Sequence, residues 1–176
     1  MVDRMSAGTL WLTGLPASGK TTLAVAVERE LSRRGQPACV LDGDVLRTGL
    51  SSDLGLSAGD RSEQARRAAH VAALIARAGV VAIVALVSPY AQDRRSARDI
   101  HEALGLDFFE VWIDTPLAVC ERRDPKGLFA RARAGKLHGL TGLDAPYEVP
   151  QAEALRVPGY RADPAAVAER VVDLLG

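Results

Sequence analysis

The segment Gly14-Leu15-Pro16-Ala17-Ser18-Gly19-Lys20-Thr21 fits G-x-x-x-x-G-K-[ST] at every fixed position. That pattern handles phosphate. Gly14 and Gly19 let the backbone wrap closely around an anion, and the N–H groups of Ala17, Ser18 and Gly19 can turn inward. Lys20 is placed to reach the β- and γ-phosphates of a nucleoside triphosphate. The Thr21 hydroxyl is placed to ligate Mg²⁺, and Thr22 follows it into the first helical turn. The helix N-terminus adds its own partial positive charge. A second group of reactive types lies in Leu41-Asp42-Gly43-Asp44-Val45-Leu46-Arg47. Of the two carboxylates, Asp42 and Asp44, one suits Mg²⁺ held through water and the other suits acceptance of a proton from an attacking hydroxyl. Arg47, one turn further on, can grip an anionic acceptor bidentately. Helix capping by Asp44 is the plainer reading of that carboxylate, and it is compatible with catalysis. The chemistry indicated is phosphoryl transfer from a nucleoside triphosphate with Mg²⁺.

Such residues need elements to hold them. Apolar runs alternate with helical patterns, which predicts βαβ units and a parallel sheet. Strands are expected at 9–13, 38–42, 80–87 and 108–114, with a weaker one at 154–157. Helices are expected at 20–34, 44–50, 58–78, 91–104, 116–123 and 164–175. Gly35 and Gly79 read as helix-ending glycines, and Asp163-Pro164 as a helix start. The strand ending at Asp42 is expected beside the strand that feeds the phosphate loop. Its C-terminal end would then face the phosphates, as ligand sites do in open parallel sheets. Residues 121–150 break the alternation. Arg122, Arg123, Lys126, Arg131, Arg133 and Lys136 outnumber Glu121 and Asp124 there, and glycines at 127, 135, 139 and 142 supply hinges. A basic, hinged segment in a phosphate-handling protein reads as a lid; a solvated basic face is the plainer alternative.

The bulk properties set limits. The length of 176 residues suits a single domain spanning 1–176. Lys+Arg and Asp+Glu are both 22, so the net charge is zero. Nucleic acid and anionic membrane, which select a basic excess, are not expected partners. No apolar run approaches a membrane span, and the first residues lack the apolar core of a secretory signal. The expectation is a cytoplasmic protein. Cys39 and Cys120 are too few for a disulfide framework or, with three scattered histidines, a zinc site.

Read in order, these motifs resemble the adenylylsulfate (APS) kinases. The likeness runs through GLPASGKTT at 14–22, LDGDVLR at 41–47, DLGLSAGDR at 53–61 and SPYAQDR at 88–94. It continues through DTPLAVCERRDPKGLFARARAGK at 114–136 and TGLDAPYEVP at 141–150, covering the chain from about Gly8 onward. The resemblance implies a fold: an α/β P-loop NTPase with a five-stranded parallel sheet, helices on both faces and a basic lid. It also implies an activity, transfer of the ATP γ-phosphate to the ribose 3′-hydroxyl of APS to give PAPS. Asp44 is then the base and Lys20 the phosphate lysine. Arg47 and Arg61 would hold the phosphosulfate, and Val87 and Ser88 would line the acceptor pocket. Ser88 matches a serine assigned in the family as a phospho-intermediate; in-line transfer requires none. Lys126 would touch both substrates and Arg123 would cover the ATP adenine. Gly139 and Leu140 would close on the acceptor's base. The partners implied are the small nucleotides ATP and APS; a homodimer is expected only because the family is often dimeric.

The chain departs from the family around the acceptor. Leu56 and Leu140 stand where two phenylalanines usually sandwich the adenine, Gln64 stands where Asn is usual, and Ser51 stands where Asn is common. Two kinase readings therefore stay open: an APS kinase with a leucine-lined pocket, or a relative that phosphorylates another nucleotide-like acceptor. A regulatory P-loop NTPase is the third, and it would need none of Asp44, Arg47 and Arg61.

Overall fold

The computed structural model describes residues 7–151 and 153–176. Its core is a five-stranded sheet, entirely parallel, in the order β2-β3-β1-β4-β5. The strands are β1 (Thr9–Thr13), β2 (Ala38–Asp42), β3 (Val81–Ala85), β4 (Phe108–Asp114) and β5 (Leu155–Pro158). β1 and β3 are buried at every position, as unbroken apolar runs between two helical layers must be. Side chains alternate across the sheet. Leu10, Leu12, Val81 and Ile83 face α1 (Lys20–Arg33) and α7 (Pro164–Val172). Trp11, Ala82 and Val84 face α3 (Ala58–Arg77) and α4 (Ala91–Glu102). On α3 the contact face is Ala65, Ala68, Ala69 and Ala72, small enough to admit the Trp11 indole.

Local chemistry sets the boundaries. Ser57 opens α3 by accepting from the Asp60 N–H at 3.1 Å, and Asp163 with Pro164 opens α7. Gly35 and Gly79, with φ of 74° and 82°, close α1 and α3. Between β2 and α3 lies only one short helix, α2 (Gly43–Leu46), not the two turns expected at 44–50.

Two further expectations need correction. β2 does not lie beside β1; β3 sits between them. An apolar run reports that a strand is buried on both faces, and it carries no information about which buried strand is its neighbour. The segment 121–150, expected to be a lid, also contains more structure than its cations and glycines imply. α5 (Leu117–Arg123) is followed by α6 (Leu128–Arg133), and Cys120, Phe129 and Leu140 form a small core of their own with Leu15, Leu117 and Leu143 against it.

Gly159, just past β5, packs against the phosphate loop. A Cβ there would overlap Thr115 Oγ1 and come within 2.5 Å of Ser18 O. Gly159→Ala is expected to cost about 1–3 kcal/mol by overpacking. That corresponds to a melting temperature lower by roughly 2–10 °C for a chain this long, read by thermal denaturation. An unchanged melting temperature would show that the junction yields freely.

Candidate active site

The phosphate loop joins the C-terminal end of β1 to α1. Gly14 adopts φ 154°, and a Cβ on it would lie 2.8 Å from Ile113 O, so only glycine fits between the two central strands. Ala17 takes the left-handed region with φ 59°. Ser18 is fully buried. Lys20 folds back over the loop, donating to Gly14 O at 2.9 Å and Leu15 O at 2.7 Å. Burial holds its pKa at about 8, well below the ordinary lysine value. Thr21 Oγ1 donates to Asp42 Oδ2 at 2.6 Å across the gap that β3 opens between β1 and β2.

Asp42 is buried, and its other oxygen accepts from the Asp44 N–H at 2.9 Å. Asp42 is therefore the cap of α2, which corrects the capping role expected of Asp44. Released from capping, the Asp44 carboxylate is 65 % exposed and pairs with Lys126 Nζ of the lid. Thr21 and Asp42 together present hard oxygen donors of the kind that suits Mg²⁺ shared with phosphates and water. No group of three or more His, Cys, Asp or Glu able to hold a metal unaided occurs among the described residues.

The other predicted residues gather on one side of the loop. Arg47 donates to Leu54 O at 3.0 Å and Gly55 O at 2.8 Å, and also to Gln64 Oε1. Gln64 in turn donates to Gly43 O at 2.9 Å. Arg61 donates to Leu56 O at 3.1 Å and to Gly139 O of the lid at 2.9 Å. Burial lowers the pKa of both arginines from their usual value. Ser88 is buried with φ 36°, its Oγ accepting from Trp11 Nε1 at 3.0 Å. Val87 lies beside it, its carbonyl bonded by Thr13 Oγ1 at 2.8 Å. Leu56 is 37 % exposed whereas Leu140 is only 2 % exposed, so the two leucines are not equivalent. The Ser51 hydroxyl is buried without a hydrogen-bond partner among the described residues.

On the opposite side Arg123 reaches over the loop, donating to Ser18 O at 3.3 Å and Gly159 O at 2.9 Å. Beside it stand residues that the sequence reading missed: Pro158, Gly159, Tyr160, Pro164 and Val167. They line the same cleft. Their only signal was the weak strand at 154–157, too short to mark its end as a binding edge. The cleft has a volume of about 740 Å³ and runs continuously from Tyr160 past Lys20 to Leu56 and Leu140. Every residue predicted for the site except Gly14, Ser18 and Gly139 lines it; Ser18 and Gly139 are next to lining residues in the chain, and Gly14 is two residues from Pro16.

The profile of the adenylylsulphate kinase family matches residues 6–158. The chain belongs to that family. It is 51 % identical over 175 residues to the bifunctional enzyme CysN/CysC of Mycobacterium tuberculosis, covering 98 % of this chain and 28 % of that one. It is 43 % identical over 172 residues to the adenylyl-sulfate kinase of Clostridium acetobutylicum, covering 98 % of this chain and 84 % of the relative. The chain thus spans under a third of the bifunctional relative and most of the stand-alone one. The structure of the M. tuberculosis APS kinase CysC in complex with AMPPNP and APS superposes with a TM-score of 0.93 at 49 % identity, covering 97 % of this chain and 98 % of that one. A gluconokinase from Sinorhizobium meliloti superposes with a TM-score of 0.61 at 15 % identity, a likeness of fold alone. The fold of this family member is that of the P-loop kinases.

The Lys20 pKa gives a sign that can be measured. Its folded value near 8 lies below the ordinary 10.5, so between those values the unfolded chain binds more protons. Stability of the empty protein from this group therefore rises with pH across that window. A triphosphate at the loop reverses the shift, so Mg-ATP binding near pH 9 should take up close to one proton at Lys20. Calorimetry in two buffers of different ionisation enthalpy measures it. Uptake that persists undiminished in Lys20→Met would assign the proton elsewhere.

Proposed function

We propose that this chain transfers the γ-phosphoryl group of ATP to the ribose 3′-hydroxyl of APS, giving PAPS and ADP. The observation that carries the proposal is the single cleft with the phosphate loop at its middle and unlike ends. The Arg123–Tyr160 end suits the ATP base, and the Arg47–Arg61 end suits an acceptor with an anionic tail. Membership of the adenylylsulphate kinase family, with a relative solved in complex with AMPPNP and APS, supports the choice of acceptor.

The residues divide the work. Lys20 leaves the loop carbonyls and meets the β- and γ-phosphates. Thr21 and Asp42 would hold Mg²⁺, which when bound neutralises phosphate charge as the transition state forms. Asp44 accepts the proton of the 3′-hydroxyl as its oxygen bonds to phosphorus in line with the departing ADP oxygen. Arg47 and Arg61 exchange backbone carbonyls for the acceptor's anionic groups. Lys126 leaves Asp44 and lies between the two substrates. Arg123 covers the ATP base, and Gly139 and Leu140 close with the lid over the acceptor, opposite Leu56. The Ser88 hydroxyl is buried and bonded to Trp11 and Leu86 O. That favours direct transfer, with Val87 and Ser88 as wall.

A second reading, a different nucleotide-type acceptor, draws on Leu140. Its side chain packs into the lid core with Cys120 and Phe129 and offers little face for a base to stack on. Competition assays decide between them. With Mg-ATP saturating, APS should exceed plain nucleoside monophosphates and other phosphosulfates by at least about tenfold in kcat/KM, or about 1.4 kcal/mol. An equal or better alternative acceptor would replace APS and leave the kinase reading standing.

Asp44→Asn keeps the shape and removes the basicity. Turnover should fall by about 10²–10⁴ with Mg-ATP affinity nearly unchanged, measured by steady-state kinetics and by calorimetry. Ser88→Ala should weaken acceptor binding and retain chemistry. Complete loss of turnover in folded Ser88→Ala would restore the phosphoserine route.

A further inference from the structure

Arg94 lies in the first turn of α4 and is 3 % exposed, outside the ring of cations that faces the cleft. Its guanidinium nonetheless holds the site together in three directions. Nη1 donates to Ser88 O at 2.9 Å, Nη2 to Glu148 O at 2.8 Å, and Nε to Glu110 Oε1 at 2.6 Å. Glu110 stands on β4 and supplies the countercharge that so buried a cation requires.

The two carbonyls belong to segments that need an outside tie. β3 ends at Ala85, and beyond it Ser88 sits at φ 36°, a region that costs an L-residue free energy and persists only when its surroundings fix it. The segment around Glu148 is the stem by which the lid returns to the body. It is stitched to the same stretch elsewhere. The Glu148 N–H donates to Pro89 O at 2.8 Å, and the Ala91 N–H donates to Glu148 Oε2 at 2.6 Å. Tyr147 OH lies 3.0 Å from Thr13 Oγ1, which donates to Val87 O at 2.8 Å. The Tyr147 ring also lies against Arg94, 5.9 Å from its guanidinium carbon.

We infer that Arg94 is a positioning residue that splices the Val87–Ser88 wall to the returning stem of the lid, so that the acceptor wall keeps its shape only while the stem is docked. A planar fork is needed because three acceptors lie in three directions. A lysine carries the charge and cannot span both carbonyls and Glu110. The inference rests on the proposed role of Val87 and Ser88 as acceptor wall.

The test uses Arg94→Lys, with Glu110→Gln as the control that loses the countercharge but keeps both carbonyl bonds. In Arg94→Lys, kcat/KM for APS should fall at least tenfold while the KM for Mg-ATP stays within twofold. Glu110→Gln is expected to melt lower because it strands the Arg94 charge, and where folded it should change kcat/KM for APS less than threefold. Hydrogen exchange of the ligand-free protein provides a readout independent of the acceptor. Amides of 86–91 and 145–150 should lose protection together in Arg94→Lys, with α1 and β1 unchanged. Loss at one segment only, a uniform loss across the sheet, or equal rises in both KM values would overturn the splice. Should wild type fail to phosphorylate APS, the functional reading falls and the exchange pattern still decides. Should Arg94→Lys not fold, Arg94→Gln/Glu110→Gln removes the fork without stranding a buried charge, and the same paired pattern is expected. Failure of both to fold would make Arg94 a residue of the fold alone.

Discussion

Five cations, Lys20, Arg47, Arg61, Arg123 and Lys126, converge on one cleft, and each is satisfied by an oxygen of the chain itself. Such convergence is unfavourable until an anion arrives, because like charges repel and partial burial strips water from each of them. The fold makes it tolerable by supplying temporary partners. Lys20 rests on Gly14 and Leu15 carbonyls, Arg47 on Leu54 and Gly55, Arg61 on Leu56 and Gly139, Arg123 on Ser18 and Gly159, and Lys126 on Asp44. Four of the five cations rest on neutral carbonyls, which are weaker acceptors than phosphate oxygens. An exchange for phosphate oxygens is therefore downhill for those four, and the cations are preorganised instead of assembled by a ligand.

The sheet explains how so much polar machinery fits at one edge. All five strands run the same way, so their C-terminal ends release their loops on one side. β1 delivers the phosphate loop, β2 delivers Asp42 and Asp44, β3 delivers Val87 and Ser88, and β5 delivers Gly159 and Tyr160. Placing β3 between β1 and β2 opens the space that the Thr21–Asp42 bond crosses. That interval is also where metal and phosphate would have to share room. Alanines on α3 let Trp11 fill the layer beneath, and its indole N–H then reaches up to Ser88. Core packing and site geometry meet in that one side chain.

Much of this was legible in the residues because it depends on local chemistry. The phosphate loop, the helix-ending glycines, the Asp163-Pro164 start and four of the five strands each follow from short-range rules, and each lies within a few residues of its expected place. Strand order was not legible, since β1 and β3 are both apolar throughout and nothing in either run names its neighbour. The cap of α2 fell to Asp42 and not to Asp44 for a related reason. Both are acids at a strand end, and only the turn geometry decides which of them bends back to cap. The end of the cleft near Tyr160 was missed because its residues offer backbone shape and apolar surface, which leave no distinctive type or spacing. Arg94 was passed over inside SPYAQDR because its partners, Ser88 O and Glu148 O, are carbonyls, and a carbonyl is present at every position of every sequence.

The acceptor end shows how a site can keep its electrostatics while its apolar surface changes. Arg47 and Arg61 are tied into the fold through Leu54, Gly55, Gln64, Leu56 and Gly139, so altering either disturbs several bonds, and Asp44 and Lys126 pair with each other. Leu56 carries no such burden on its side chain: Arg61 uses its carbonyl, which every residue supplies. Leu140 likewise takes part through backbone, its N–H bonded to Asp144 Oδ1 at 2.7 Å, and its side chain serves the lid core. Substitution at Leu56 changes the apolar surface of that end without touching those bonds, whereas substitution at Leu140 also repacks the core it shares with Cys120 and Phe129. Charge at this end of the cleft is thus built into the network of the fold, and of the two leucines only the half-exposed Leu56 is left free by that network to vary.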